Sequence, residues 1–356
     1  MEPYFSDDFF NPSALYGAGT RIKRVIESAR SDVAHVLGVR SPEIIFTAGC
    51  TEANNLAISG VMRQFPDGEC LISAIEHDSV RNIAEQYRCR TLGVGSGGLV
   101  SSFALKEKIS DTTVLISVIY ANNEIGTVQN ISELTAVVAH IRKERGPEGL
   151  PLYFHTDASQ APNSLPVHAS RLGVDMMSLN GGKIYGPKAS GCLYVRRGTR
   201  LKPVIYGGGQ ENGLRSGTEN VASIVGFARA LSDASTQYKV VERELSSLRD
   251  RLIERLQGIG GIVNGERVHR LANNISVTFP GVDNETMLYK LDQMGFMVAT
   301  GSACHARSGR ASSVLSAIGL SDEYSRSTLR ITLGKTTTVE SVDKLADAIK
   351  ALIVKR

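Results

Sequence analysis

No apolar run in this chain of 356 residues approaches the ~20 that a helix needs to cross a bilayer. The opening MEPYFSDDFF is acidic where a secretory signal is basic, so the expected compartment is the cytoplasm and no membrane partner is expected. Charge of one sign is also scarce. Lys+Arg 40 against Asp+Glu 36 leaves +4, too mild to indicate a nucleic-acid binder, and no direct DNA binding is expected. The five cysteines, at 50, 70, 89, 192 and 304, form no CxxC pair and have no Cys/His ligand spacing. That argues against a disulfide framework and against a zinc site, so no metal is expected. No internal repeat is evident. What remains is an ordinary globular composition, 42% hydrophobic and 21% charged, long enough for two domains at ~150 residues each.

The pattern along the chain is that of an α/β protein. Residues 20–37 place Ile22, Val25, Ile26, Ala29, Val33, Val36 and Leu37 on one helical stripe, with Gly38 beyond as C-cap. Short apolar runs follow at 43–47, 70–75, 114–120, 152–155, 174–179 and 191–196. They lack strict alternation, which predicts strands covered on both faces in a mostly parallel central sheet. The helical stretch 221–257 is long for one helix, and the reading turns it near Ser232–Ser235 as a bridge between domains. Residues 258–356 read strand, helix, loop, strand, helix, with a capping box from Thr337 to Glu340 opening the last helix. The expected division is a large domain over 12–238 and a smaller C-terminal α+β domain over 239–356, joined by residues 1–11.

Two motifs are decoys. Gly93, Gly95 and Gly98 spell GxGxxG, but LVSS follows and no helix starts on the last glycine, so a surface turn is the better reading. LGKTTT at 333–338 mimics the end of a phosphate loop, yet Leu329 stands where its first glycine belongs.

In an open α/β sheet, ligands sit beyond the carboxyl ends of the strands. Run 43–47 leads to Ala48-Gly49-Cys50-Thr51-Glu52 and a helix, an anion site. The other runs lead to Glu76-His77, to Asn122-Asn123-Glu124, to Asp157 and Gln160, and to Asn180-Gly181-Gly182-Lys183. Taken singly, each residue is more readily a cap, a loop lysine or a structural histidine. Together they offer a lysine for an imine, a carboxylate for a pyridine nitrogen and donors for a phosphate, which is what pyridoxal 5'-phosphate requires.

These residues sit in longer motifs: FTAGCTEANNLAI at 46–58, EH at 76–77, NNEIGTVQ at 122–129, HTDASQ at 155–160, KIYGPK at 183–188, RSGTENV at 215–221, GSAC at 301–304 and LRITLGKTT at 329–337. In this order and over nearly the whole length, the chain resembles the cysteine desulfurases of the NifS/IscS type. That group lies in the class V aminotransferase branch of the fold-type I pyridoxal phosphate enzymes. The resemblance implies that Lys183 binds the cofactor covalently and moves the substrate Cα proton. It implies that Asp157 pairs with the pyridine nitrogen, Gln160 with the ring oxygen, and that His77 stacks on the ring and helps proton transfer. Thr51 would hold the phosphate with Thr218 of a second subunit, hence a homodimer, with Cys50 as small filler and Asn180 among the cofactor contacts. Asn123 and Arg330 would grip the carboxylate of L-cysteine. Cys304 would be the nucleophile that takes sulfur as a persulfide, its thiolate favoured by His305, Arg307 and Arg310 in a Gly/Ser-rich loop, for delivery to a scaffold or relay protein in iron–sulfur assembly or RNA thiolation. Cys70 and Cys192 read as inert core thiols.

The chain departs from the family's usual pattern where Asn180 and Gly182 stand in place of Ser and His before the lysine, which weakens the expected phosphate grip. It also opens almost at the PYF…NPS stretch of residues 3–13 and stops one helix past TLGK, without the longer docking tail of housekeeping members. The competing readings are a selenocysteine lyase or C–S lyase of the same fold, an aminotransferase-like reaction, and a catalytically weak sulfur-relay or assembly subunit.

Overall fold

The computed structural model describes residues 1–301 and 312–354. They divide into two compact units. The first comprises 1–92, 102–120 and 130–238; the second comprises 93–101, 121–129 and 239–356, as far as these are described. The sequence reading assigned 1–11 to the smaller domain and left 93–101 and 121–129 in the larger one.

The first unit is built on a seven-stranded sheet. Its strands are β1 (Ile44–Thr47), β2 (Glu69–Ser73), β3 (Cys89–Leu92), β4 (Thr113–Ser117), β5 (Tyr153–Asp157), β6 (Met176–Asn180) and β7 (Gly191–Val195), in the order β1-β7-β6-β5-β4-β2-β3. The pairs β6–β5, β5–β4, β4–β2 and β2–β3 are parallel, and β7 runs antiparallel to both β6 and β1. Every residue of β1, β2, β4, β5 and β7 is buried, as expected of strands covered on both faces. Helix α1 (Gly17–Leu37) ends on Gly38 at φ +65, the left-handed cap the pattern predicts. Helix α2 (Cys50–Gln64) starts past β1, and its Ala53, Leu56, Ala57 and Val61 pack on Ile72, Leu115 and Leu193 in the core. Helices α3 (Asp78–Ala84) and α4 (Ile131–Arg145) follow β2 and β4.

One prediction fails in α5 (Val221–Gln257), a single 37-residue helix without a turn at Ser232–Ser235. Its apolar stripe runs on through Leu231, Ala234 and Leu245, all buried, while Arg229 and Asp233 pair one turn apart on the exposed side. Neither Gly nor Pro interrupts 227–257.

The second unit holds an antiparallel three-stranded sheet in the order β10 (Thr328–Thr332), β9 (Asn274–Thr278), β8 (Ile262–Val263). Two strands, not one, therefore precede helix α6 (Asn284–Gln293). Its core joins Leu252 and Leu256 of α5, Ile275 and Val277 of β9, Leu291 of α6, Leu329 and Ile331 of β10, and Val342, Leu345 and Ile349 of α7 (Val339–Val354). The cap of α7 lies one residue later than expected. Thr338 and Ser341 exchange backbone-to-hydroxyl bonds of 3.0 and 3.2 Å, so the box is Thr338/Ser341 rather than Thr337/Glu340. No helix among the described residues is long and apolar enough to cross a membrane.

Candidate active site

In the first unit, the functional side chains emerge where the parallel strands end. β1 turns through Gly49, whose φ of +127 only glycine adopts at ease, and the chain enters α2 at Cys50. The first-turn amides of a helix find no partner within it, so this N-terminus, with Thr51 exposed on it, is a ready acceptor of an anion. The Ala48 amide donates to Glu52 Oε2 (3.0 Å), and Arg215 Nε donates to Glu52 Oε1 (2.8 Å). That ion pair draws the loop carrying Thr218 towards the turn. Thr47, Ala48, Ser190, Arg215, Thr218 and Asn220 line a cavity of about 160 Å³.

Asp157 closes β5 and is buried. Its Oδ1 accepts the Ser159 amide (2.9 Å) and its Oδ2 accepts Nδ2 of Asn54 (2.8 Å). Asn54 Nδ2 also reaches Ser79 Oγ (2.9 Å), and Ser79 Oγ lies 2.8 Å from His77 Nδ1. Cys50 Sγ donates to Asn54 Oδ1 at 3.6 Å. Burial, aided by the charge of Asp157, pushes the Cys50 thiol well up, so it keeps its proton and is no nucleophile. Cys50, His77 and Asp157 are thus one network, joined by Asn54 and Ser79, two residues that the sequence reading did not single out. The only sequence hint was spacing: Asn54 is four residues after Cys50 on α2, and Ser79 is two after the N-cap His77.

Glu76 is fully buried beside this network. Its Oε1 accepts Ser73 Oγ (2.6 Å) and the Ile119 amide (2.5 Å), while Oε2 has no hydrogen-bond partner among the described residues. Burial pushes this carboxyl up to about 8, and the charge of Asp157 acts the same way. His155, held between Ser117 Oγ and Ser178 Oγ at 2.9 Å each, is pushed down to about 4 by burial and stays neutral.

β6, the neighbour of β5, ends at Asn180, whose side chain caps the Gly182 amide at 3.0 Å. The short turn Gly181–Lys183 leaves the lysine exposed, its carbonyl accepting Asn163 Nδ2 (2.7 Å). Tyr185 and Ala189, both non-glycine, follow at φ +61 and +54, a local cost of the kind that gathers at functional loops. Gln160 is half-buried, three residues past Asp157.

Asn123 and Arg330 belong to the second unit. The Asn123 carbonyl accepts Asn274 Nδ2 (2.9 Å) from β9, and Arg330 stands on β10, whose backbone exchanges bonds of 2.6 and 2.9 Å with Ala299. Ser312 Oγ donates to Glu124 Oε2 (2.6 Å). Gly301, at φ +65, approaches the same carboxylate: a Cβ there would lie 3.6 Å from Glu124 Oε2. Glu124 therefore meets both residues that border 302–311. Cys304, His305, Arg307 and Arg310 lie outside the described residues. Cys70 and Cys192 are fully buried, as core thiols should be.

Residues 1–345 match the Aminotransferase class-V family. A cysteine desulfurase IscS of Methanosarcina thermophila is 40% identical over 363 aligned residues, covering 100% of this chain and 88% of that protein. Among solved structures, a NifS-like protein superposes with a TM-score of 0.91 at 32% identity, over 100% of this chain and 94% of the other. SspA in complex with cysteine superposes at 0.78 with 34% identity, over 93% of each chain.

Proposed function

The chain belongs to the class-V aminotransferase family, and from that premise we propose that it is a cysteine desulfurase, converting L-cysteine to L-alanine and passing the sulfur to a protein thiol. The observation that carries this reading is the 40% identity, over the whole chain, to a cysteine desulfurase.

The donor set fits pyridoxal 5'-phosphate. A buried carboxylate, Asp157, is held in place by two donors at a strand end; an exposed amine, Lys183, lies in the turn that follows the next strand; and a helix N-terminus at Thr51 is open to an anion. On this reading Lys183 holds the cofactor, Asp157 faces its pyridine nitrogen and Gln160 its ring oxygen. Thr51, Cys50 and Asn180 surround the phosphate together with Thr218 of a second subunit in a homodimer. Bound there, the cofactor supplies an electron sink for the pair left on Cα.

The chain's own residues do the rest. Asn123 and the Arg330 guanidinium hold the substrate carboxylate, for which a planar fork is suited. Lys183 takes and returns the Cα proton, with His77 assisting. The Cys304 thiolate attacks the substrate sulfur, the carbon–sulfur bond breaks, and the products are L-alanine and a Cys304 persulfide, with sulfur and protons conserved. A sulfur-accepting scaffold or relay protein then takes the outer sulfur atom.

The test is product analysis with purified protein, pyridoxal phosphate, L-cysteine and a thiol reductant. Alanine and sulfide in equal amounts are expected. Pyruvate and ammonia in place of alanine would reassign the protein to C–S lyase chemistry.

A further inference from the structure

His77 is the N-cap of α3, and its Nδ1 accepts the Ser79 backbone N–H at 3.1 Å. An imidazole nitrogen that accepts a hydrogen bond carries no proton. The second neighbour of that nitrogen, Ser79 Oγ at 2.8 Å, must then donate its own proton to it. With its proton so used, Ser79 Oγ is an acceptor for Asn54 Nδ2 at 2.9 Å. The other Asn54 amide proton goes to Asp157 Oδ2 at 2.8 Å. A carboxylate accepts only, so the amide cannot be flipped, and Asn54 Oδ1 is left facing the thiol proton of Cys50. The polarity is set independently at both ends, by a helix amide at His77 and by a carboxylate at Asp157, and the two assignments agree along every bond. Asn54 is fully buried, so no water substitutes for its amide.

We propose that Asn54 and Ser79 are positioning residues that lock neutral His77 in the tautomer with its proton on Nε2 and couple that ring to the Asp157 carboxylate. Neutral His77 then carries an N–H on Nε2 rather than a lone pair. It donates a hydrogen bond to what lies over it, and abstraction of the Cα proton falls to Lys183 alone. This inference deepens the desulfurase reading and rests on the roles given there to His77, Asp157 and Lys183.

The test uses holoenzyme reconstituted with pyridoxal phosphate and labelled with ¹⁵N-histidine, the His77 signals being assigned by their loss in His77→Gln. The expected spectrum has an unprotonated Nδ1 and a protonated Nε2. The Nδ1 resonance should move in Ser79→Ala and also in Asn54→Ala, although Asn54 does not touch the ring, and should return in Ser79→Thr. Losing one such bond lowers kcat about tenfold in the two alanine variants, with KM little changed and recovery in the threonine variant. If Asn54→Ala does not fold, Ser79→Ala, at a half-buried position, carries the test. A proton on Nδ1, a resonance indifferent to both substitutions, or a shifted resonance with unchanged kcat overturns the proposal. The spectra are taken without turnover, so failure of the desulfurase reading shows separately, as absence of alanine from the wild-type protein.

Discussion

Glu211 accepts both terminal guanidinium nitrogens of Arg30, each at 2.7 Å, across 181 positions of sequence. Both residues are buried, and the pair is further tied in by the Phe46 amide on Glu211 Oε2 (2.8 Å) and by Arg30 Nη1 on the Ile44 carbonyl (2.8 Å). It fastens the loop that leads to Thr218 onto α1 and β1. Glu211→Ala strips the buried guanidinium of its two shortest carboxylate bonds, leaving it the Ile44 carbonyl and the exposed Glu27 carboxylate at 3.3 Å, and should cost about 3–5 kcal/mol in denaturant unfolding, while Arg30→Met with Glu211→Leu should cost far less. Equal losses in the single and double variants would contradict the pair's role.

Glu76 makes stability depend on pH. Its carboxyl titrates near 4.5 when unfolded and is pushed up to about 8 by burial in the native chain. Between those values the folded protein keeps a proton that the unfolded chain releases, so each pH unit in the window removes ~1.4 kcal/mol of stability. The contribution is complete below about 4.5 and gone above about 8. Urea unfolding at several pH values should show this decline in the wild type and a flatter curve in Glu76→Gln. Parallel curves would refute it.

Gly191 starts β7 against the turn that opens α2. A Cβ there would run into the Leu179 carbonyl oxygen and lie 2.9 Å from Gly49 Cα, both backbone groups that cannot swing away. Gly191→Ala should destabilise by about 1–3 kcal/mol or more. By displacing Gly49 it should also weaken pyridoxal phosphate binding, measured by equilibrium dialysis. Wild-type stability and affinity would count against the close approach.

Much of this was legible in the residues, for reasons that differ by element. Strands buried on both faces stand out as unbroken apolar runs, and the residues just past them are the site because ligands collect at strand ends. β3, CRTL, was missed because it is a short edge strand whose Cys89, Arg90 and Thr91 are not buried. The turn expected near Ser232–Ser235 rested on the length of the stretch, and a continuous buried stripe carries one helix through it. The capping box was misplaced by one residue because Thr337 has the usual Glu three residues on, whereas the observed cap Thr338 pairs with Ser341, whose hydroxyl takes the acceptor's place. Asn54 and Ser79 escaped notice for a deeper reason. Asp157, the partner of Asn54, is 103 residues from it and Ser79 is 25 residues from it, and which side chains meet across a sheet depends on strand order, not on local spacing. The assignment of 121–129 to the second unit is likewise a matter of long-range pairing, Thr127 bridging to Arg270.

The central claim is that sulfur leaves cysteine for the thiol at position 304. Brief exposure of the pyridoxal phosphate-loaded protein to L-cysteine, followed by alkylation and peptide mass spectrometry, should find the Cys304 peptide heavier by one sulfur atom, with alanine formed in step and neither seen in Cys304→Ser. Sulfide and alanine produced undiminished by Cys304→Ser, or the extra sulfur on another cysteine, would contradict the account.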